Sequence, residues 1–163
     1  MELSVYEIES EVEATHWWFK ERRWLFGRML RDIPRSAKVL DVGSGTGSNL
    51  RMLVEAGFRD VRGLDMSPAA AQFAKAKNLP PIEYGDVQRL PYEAETFDLL
   101  LATDVVEHVD DDAKAVQELA RILRPGGHLL VTVPCFQSLW GPQDELAMHK
   151  RRFRLGEISS RVT

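Results

Sequence analysis

Apolar and polar positions along this chain fall into short runs of two alternating kinds. Residues from about Glu7 to Arg31 are rich in helix formers and end before Pro34, which predicts one N-terminal helical segment. From Ala37 onward the pattern becomes regular. Lys38–Val42 is a short apolar strand followed by a glycine-rich turn, and a helix runs from about Gly47 to Ala56 with Gly57 placed to cap it. Val61–Asp65 reads as a second strand. Ser67-Pro68 then supplies an N-cap and a first-turn proline for a helix reaching about Asn78.

Pro80-Pro81 breaks the chain before a weaker third strand, Ile82–Tyr84. Phe97–Ala102 is an almost unbroken apolar run, as expected of a central strand covered on both faces. Val116, Leu119, Ala120 and Leu123 recur at helical spacing in a helix near Asp112–Leu123, after which Pro125-Gly126-Gly127 turns the chain into a fifth strand, His128–Val133. Strands alternating with helices of this length predict an open α/β fold with a parallel sheet and right-handed crossovers.

Composition narrows the class. At 163 residues with 44% hydrophobic positions the chain suits one domain with a real core, and no apolar run is long enough to cross a bilayer. Its 21 basic and 25 acidic residues leave a net charge of -4, so no basic stripe predicts nucleic-acid binding. The acidic start shows no secretory signal, and a cytoplasmic location is expected. Cys135 is the only cysteine, which rules out an internal disulfide and a multi-cysteine zinc site. No metal ligands are assigned.

In open parallel sheets, ligands bind at the carboxyl ends of the strands. The first strand ends in Asp41-Val42-Gly43-Ser44-Gly45-Thr46-Gly47, where glycines permit a tight turn and close approach of a ligand to the backbone. Asp65 ends the second strand, where a carboxylate can accept two hydrogen bonds from a ribose diol. A dinucleotide site wants G-x-G-x-x-G, but the third-glycine position is Ser48. Asp41 beside the loop repels pyrophosphate and suits an amino group. The pattern favours a cation-bearing adenosine ligand, with a nicotinamide-dependent oxidoreductase as a weaker alternative.

On these residues the chain resembles the class I S-adenosylmethionine-dependent methyltransferases over roughly residues 37–134. The resemblance rests on Val39–Gly47, Gly63–Ser67, Gly85-Asp86-Val87, Phe97–Leu100 and Leu123–Gly127, five signals in order at successive strand ends. It implies a Rossmann-like open parallel sheet with helices on both faces. It further implies that Gly43, Ser44 and Gly45 cradle the methionine part of S-adenosylmethionine, with Asp41 near its ammonium. Asp65 would hold the ribose, Met66 would pack on the adenine, Asp86 would accept from the adenine amino group, and the Val87 amide would address the ring. Thr103 and Asp104 would line the floor beneath the sulfonium. S-adenosylhomocysteine is the implied product.

A general base is required only when the acceptor carries a proton to be removed, and the candidates are Glu107 and His108, which follow the fourth strand. Packing beside the cofactor is the alternative for His108. The Asn/Asp-Pro-Pro-Tyr/Phe signature of adenine- and glutamine-methylating enzymes is absent. Pro134-Cys135 stands where RNA cytosine enzymes keep a nucleophile, but the charge balance favours an ordinary buried cysteine. The expected acceptor is a small-molecule, lipid-linked or glycan group, and a non-catalytic cofactor-binding module is the second hypothesis.

Both ends leave alternatives open. His16–Trp24 holds three of the four tryptophans, which suits a helix stapled to the core, a lid or acceptor pocket, or peripheral membrane contact. The run His149–Phe153 suggests an acceptor-side role or a solvated basic surface. Expected boundaries are 1–36 for the aromatic segment, 37–134 for the cofactor-binding core and 135–163 for the start of an acceptor-side region. Members of the resembled class carry seven strands, the last two in a hairpin. Five signals are present here, so an uncovered edge strand is expected, with a homodimer through it as one way of covering it. Gly156–Thr163 reads as the start of a further helix.

Overall fold

The computed structural model describes residues 3–154 and 156–157, so most of the helix expected at Gly156–Thr163 lies outside the described residues. Two compact units follow one another, Met1–Tyr84 and Gly85–Thr163. Five parallel strands alternate with helices as the sequence predicts, in the order β3-β2-β1 in the first unit and β4-β5 in the second.

The first unit holds α1 (Leu3–Val12), α2 (Trp17–Met29), β1 (Lys38–Val42), α3 (Ser48–Glu55), β2 (Asp60–Asp65), α4 (Pro68–Ala76) and β3 (Ile82–Tyr84). β1 pairs in parallel with β2, from Lys38↔Asp60 to Val42↔Leu64, and β2 pairs with β3 from Gly63↔Ile82 to Asp65↔Tyr84. Val39, Leu40, Val42 and Leu64 of the strands are buried together with Leu50 and Leu53 of α3 and Ala70 and Ala74 of α4. The α4 start follows its sequence signals: Ser67 Oγ accepts from the Ala69 amide, with Pro68 at the first turn.

The N-terminal segment corrects the single helix expected between Glu7 and Arg31. It is two helices broken at Glu13–His16. His16 Nδ1 accepts from the Trp18 amide at 3.3 Å and so caps α2, while Glu13 turns inward to bonds that an uninterrupted helix surface would not offer. The tryptophans do not staple α2 to a core: Trp17, Trp18 and Trp24 are 66%, 52% and 58% exposed, and Phe26 is the buried side chain of this helix.

The second unit holds β4 (Phe97–Thr103), a 3-10 turn at Val106–His108, α5 (Asp112–Ile122), β5 (Leu123–Thr132), a 3-10 turn at Gln137–Leu139 and α6 (Pro142–Leu146). Phe97 and Leu99–Ala102 are fully buried, as the continuous apolar run predicts, and Ala115, Val116, Leu119 and Ile122 of α5 are buried. β5 starts at Leu123, earlier than the expected His128, because Pro125-Gly126-Gly127 is a bulge within the pairing. Phe97 faces Leu123, yet Leu99 already faces His128. Gly127 is needed for that close approach, since a Cβ there would lie 3.0 Å from the Asp98 carbonyl oxygen and 2.9 Å from that of Arg124. Only Leu130 of β5 is buried.

Candidate active site

In the first unit the glycine loop closes on the end of β2. Gly43 and Ser44 both donate their amides to the Leu64 carbonyl, at 2.7 and 3.1 Å, and the Gly45 amide donates to Asp65 Oδ2 at 2.8 Å. Gly43, Gly45 and Gly47 adopt positive φ values of 71°, 53° and 87°, which side chains rarely tolerate. Three loop amides are thus spent on the sheet end. A pyrophosphate would need such amides pointed outward.

Asp41 lies at the root of the loop and is completely buried. Its Oδ1 accepts from Asn49 Nδ2 at 3.1 Å, and its backbone carbonyl accepts from Ser44 Oγ at 2.7 Å. Its Oδ2 is buried with no hydrogen-bond partner. Burial drives the carboxyl up to about 7, partly offset by the hydrogen bond from Asn49. A buried, unsatisfied acceptor oxygen that is half ionised at neutral pH is a place for a hydrogen-bonding cation.

Asp65 is also buried, but it is engaged. Its Oδ1 accepts from the Ser67 amide at 2.7 Å and from the Tyr6 hydroxyl at 3.3 Å. Tyr6 comes from α1, is buried, stacks on Phe73 and lies 3.8 Å from where a Gly45 side chain would begin. Burial and the adjacent Asp65 charge hold its phenol well above the ordinary range, so it remains a donor. Met66, next in the chain, is exposed.

Glu13 fastens the break between α1 and α2 to this loop. It is buried, accepts from the Thr46 hydroxyl, and pairs with Lys77 Nζ at 2.6 Å. Lys77 also donates to the Thr46 carbonyl at 2.9 Å, and Arg23 donates to the Glu13 carbonyl and to Ser48 Oγ at 2.7 and 3.1 Å. Neither Tyr6 nor Glu13 was assigned from the sequence. A tyrosine and a glutamate inside a helical run carry no motif that separates them from surface residues.

In the second unit Asp86 forms a local turn, accepting from the Gln88 amide at 2.8 Å, while Val87 is buried. Thr103 is buried at the end of β4, and Asp104 follows at φ 54° with its Oδ1 accepting from Thr132 Oγ1 at 2.9 Å. Glu107 is 0% exposed and His108 is half-buried. Burial, and then the neighbouring His149, lower the pKa of His108 and favour its neutral form.

The segment after β5 returns to this turn. His149 Nε2 lies 4.0 Å from Glu107 Oε1, and the two imidazoles meet edge to face with centroids 4.9 Å apart. Asp144, fully buried, receives His149 Nδ1 at 2.9 Å, Arg152 Nε and Nη2 at 2.8 and 2.9 Å, and the Gly141 amide at 2.9 Å. The Arg152 guanidinium holds the Asp144 carboxyl far below the usual carboxylate range. Arg151 pairs with the buried Asp112 at 3.0 Å. Within the His149–Phe153 run, His149, Arg151 and Arg152 are tied to buried acidic partners and Phe153 is buried, while Lys150 stays exposed beside Asp110. Cys135 is half-buried, where an ordinary buried cysteine was expected.

Parallel strands alternating with helices, a glycine turn after β1, and carboxylates late in β1 and at the end of β2 define an open α/β domain of the Rossmann-like class. The family model described as "Methyltransferase domain" matches residues 40–131, and the chain belongs to that family. It is 32% identical over 116 residues to the chloroplastic tocopherol O-methyltransferase of Arabidopsis thaliana, covering 67% of this chain and 33% of that protein. It is 34% identical over 131 residues to the demethylmenaquinone methyltransferase of Renibacterium salmoninarum, covering 77% and 52%. The matches thus span between a third and about half of these relatives' lengths. In fold it is similar to an S-adenosylmethionine dependent methyltransferase from Mesorhizobium loti, with a TM-score of 0.67 at 23% identity, covering 86% of this chain and 78% of that one. Among the described residues, no helix is long and apolar enough to cross a membrane.

Proposed function

We propose that this chain is the cofactor-binding domain of an S-adenosylmethionine-dependent methyltransferase acting on a small-molecule or lipid-linked acceptor. The observation that carries the reading is the buried, unpartnered Oδ2 of Asp41 beside a glycine turn whose amides are already used. That arrangement fits an ammonium and disfavours a diphosphate. Asp41 would hold the cofactor's ammonium, with Gly43, Ser44 and Gly45 framing its methionine part. Asp65 would receive the ribose in place of the long Tyr6 contact, and Met66 offers an exposed apolar face to the adenine. In the second unit Asp86, Val87, Thr103 and Asp104 keep the parts that the resemblance gives them.

The bound cofactor supplies a methyl group already activated on a sulfonium. What remains to the chain is to hold an acceptor in line and accept its proton where it has one. His108, kept neutral, and Glu107 offer that basicity at the turn after β4. The tocopherol and demethylmenaquinone enzymes are named for ring-bearing lipidic acceptors, which supports an acceptor of that class. The test is incubation with methyl-labelled S-adenosylmethionine and a panel of phenols, quinols and amines. Label is expected in a phenol or quinol and lost on Asp41→Asn. A chain that binds S-adenosylhomocysteine but labels no acceptor would support the non-catalytic alternative.

A further inference from the structure

Glu107, His108 and His149 bring one carboxylate and two imidazoles together, with a ligating atom from each lying within 4.8 Å of the others. We propose that these three residues bind one first-row divalent cation. Ligands at about 2.1 Å from a shared ion stand roughly 3–3.6 Å apart. The 4.0 Å from His149 Nε2 to Glu107 Oε1 is too long for a hydrogen bond and closes to that spacing with small side-chain rotations.

The surroundings match what metal-binding histidines need. Nδ1 of His149 is committed to the Asp144 carboxylate at 2.9 Å, which leaves Nε2 as the ring nitrogen on the Glu107 side. His108 is hydrogen-bonded to the Met148 backbone, which commits one of its two ring nitrogens. A carboxylate or carbonyl behind each ligating imidazole fixes its tautomer and raises its basicity. Asp144 is itself gripped by two Arg152 nitrogens and the Gly141 amide, far more than a surface histidine requires. Val106, beside Glu107 in the turn, packs with Val116 and Phe153 in a buried apolar cluster.

Two nitrogens and one carboxylate are a borderline donor set suited to zinc, cobalt, iron or manganese, and three ligands leave coordination positions open. An oxygen acceptor can fill one of them; with the ion bound, the lone pairs of Glu107 and His108 are taken up in coordination, so lowering of the acceptor's pKa by the metal replaces the proton acceptance given to those two residues above. This last step rests on the methyltransferase reading and narrows its acceptor to an oxygen nucleophile, whereas the cation site itself does not depend on that reading.

The test titrates Co2+, then Zn2+ in competition, into the untagged chain after chelator dialysis. Bound metal is read by elemental analysis, the visible cobalt spectrum and paramagnetic shifts of the histidine ring protons. One cobalt per chain is expected, shifting the rings of His108 and His149 but not the other two of the four histidines, His16 and His128. His149→Ala and Glu107→Gln are expected to weaken binding at least tenfold, and Asp144→Asn by about 10–100-fold. Because the ring shifts need no variant, misfolding of a substituted chain cannot obscure the result. Shifts at His16 or His128 instead, or no cobalt retained by the parent chain, would overturn the proposal. S-adenosylhomocysteine titrated into the metal-free chain separates a failure of this site from a failure of the methyltransferase reading.

Discussion

Cofactor affinity is expected to depend on pH through Asp41. Its carboxyl titrates near 7 in the free chain because burial penalises the charge, while holding an ammonium requires it ionised. Apparent dissociation constants then scale as one plus the protonated-to-ionised ratio. Between pH 7.5 and pH 5.5, with the ligand ammonium charged throughout, S-adenosylhomocysteine should bind about 25-fold more weakly at the lower pH. The same shift has a stability consequence of opposite sense. A carboxyl raised from 3.8 to about 7 leaves the folded chain holding more protons than the unfolded one. Stability is greatest below the unfolded value and is lost as pH rises through 7. Asp41→Asn removes that penalty and keeps an oxygen for Asn49, so the ligand-free variant should be about 2–4 kcal/mol more stable than the parent at pH 8. It should also bind the ligand at least tenfold more weakly, with no pH dependence. Calorimetry at four pH values, with urea melts of both chains, reads both effects. A flat affinity profile for the parent, or a variant less stable than the parent at pH 8, would refute the assignment.

Other perturbations report on the remaining parts of the first unit. Glu13→Ala strips the partner from Lys77, whose side chain is mostly buried, and should cost about 3–5 kcal/mol in a urea melt; a cost under about 1 kcal/mol would mean that the pair anchors nothing. Gly47→Ala places a Cβ 2.6 Å from Leu79 Cδ1 at a φ of +87° and should destabilise by about 1–3 kcal/mol, with an unchanged melting midpoint the contrary result. Tyr6→Phe removes a donor that competes for Asp65 and should tighten S-adenosylhomocysteine binding by up to about tenfold. Weaker binding would show instead that the hydroxyl assists the ligand.

Much of this architecture was legible in the chain because it is encoded locally. β1 and β4 announce themselves as apolar runs, Ser67-Pro68 marks the start of α4, and the glycine turn after Val42 needs left-handed backbone that glycine alone supplies freely. The bulge at Pro125–Gly127 looked like a turn because proline and glycine signal a departure from regular pairing without saying whether the strand resumes. The break at Glu13–His16 was missed because it is enforced by Thr46 and Lys77, which lie 33 and 64 residues away. For the same reason the sequence assigns no role to Tyr6 or Asp144 and offers His149 only as part of an acceptor-side or solvated run. Each acquires its chemistry from a partner distant in sequence or from a segment that reads as surface.

Ligand binding at the first unit bears most directly on the central claim. The measurement is a calorimetric titration of the chain with S-adenosylhomocysteine and, separately, with NAD, alongside Asp65→Ala. Saturable binding of S-adenosylhomocysteine but not NAD is expected, weakened by about 1–3 kcal/mol in the variant, where ribose hydroxyls lose their acceptor. Preference for NAD, or equal affinity in the parent and the variant, would contradict the account.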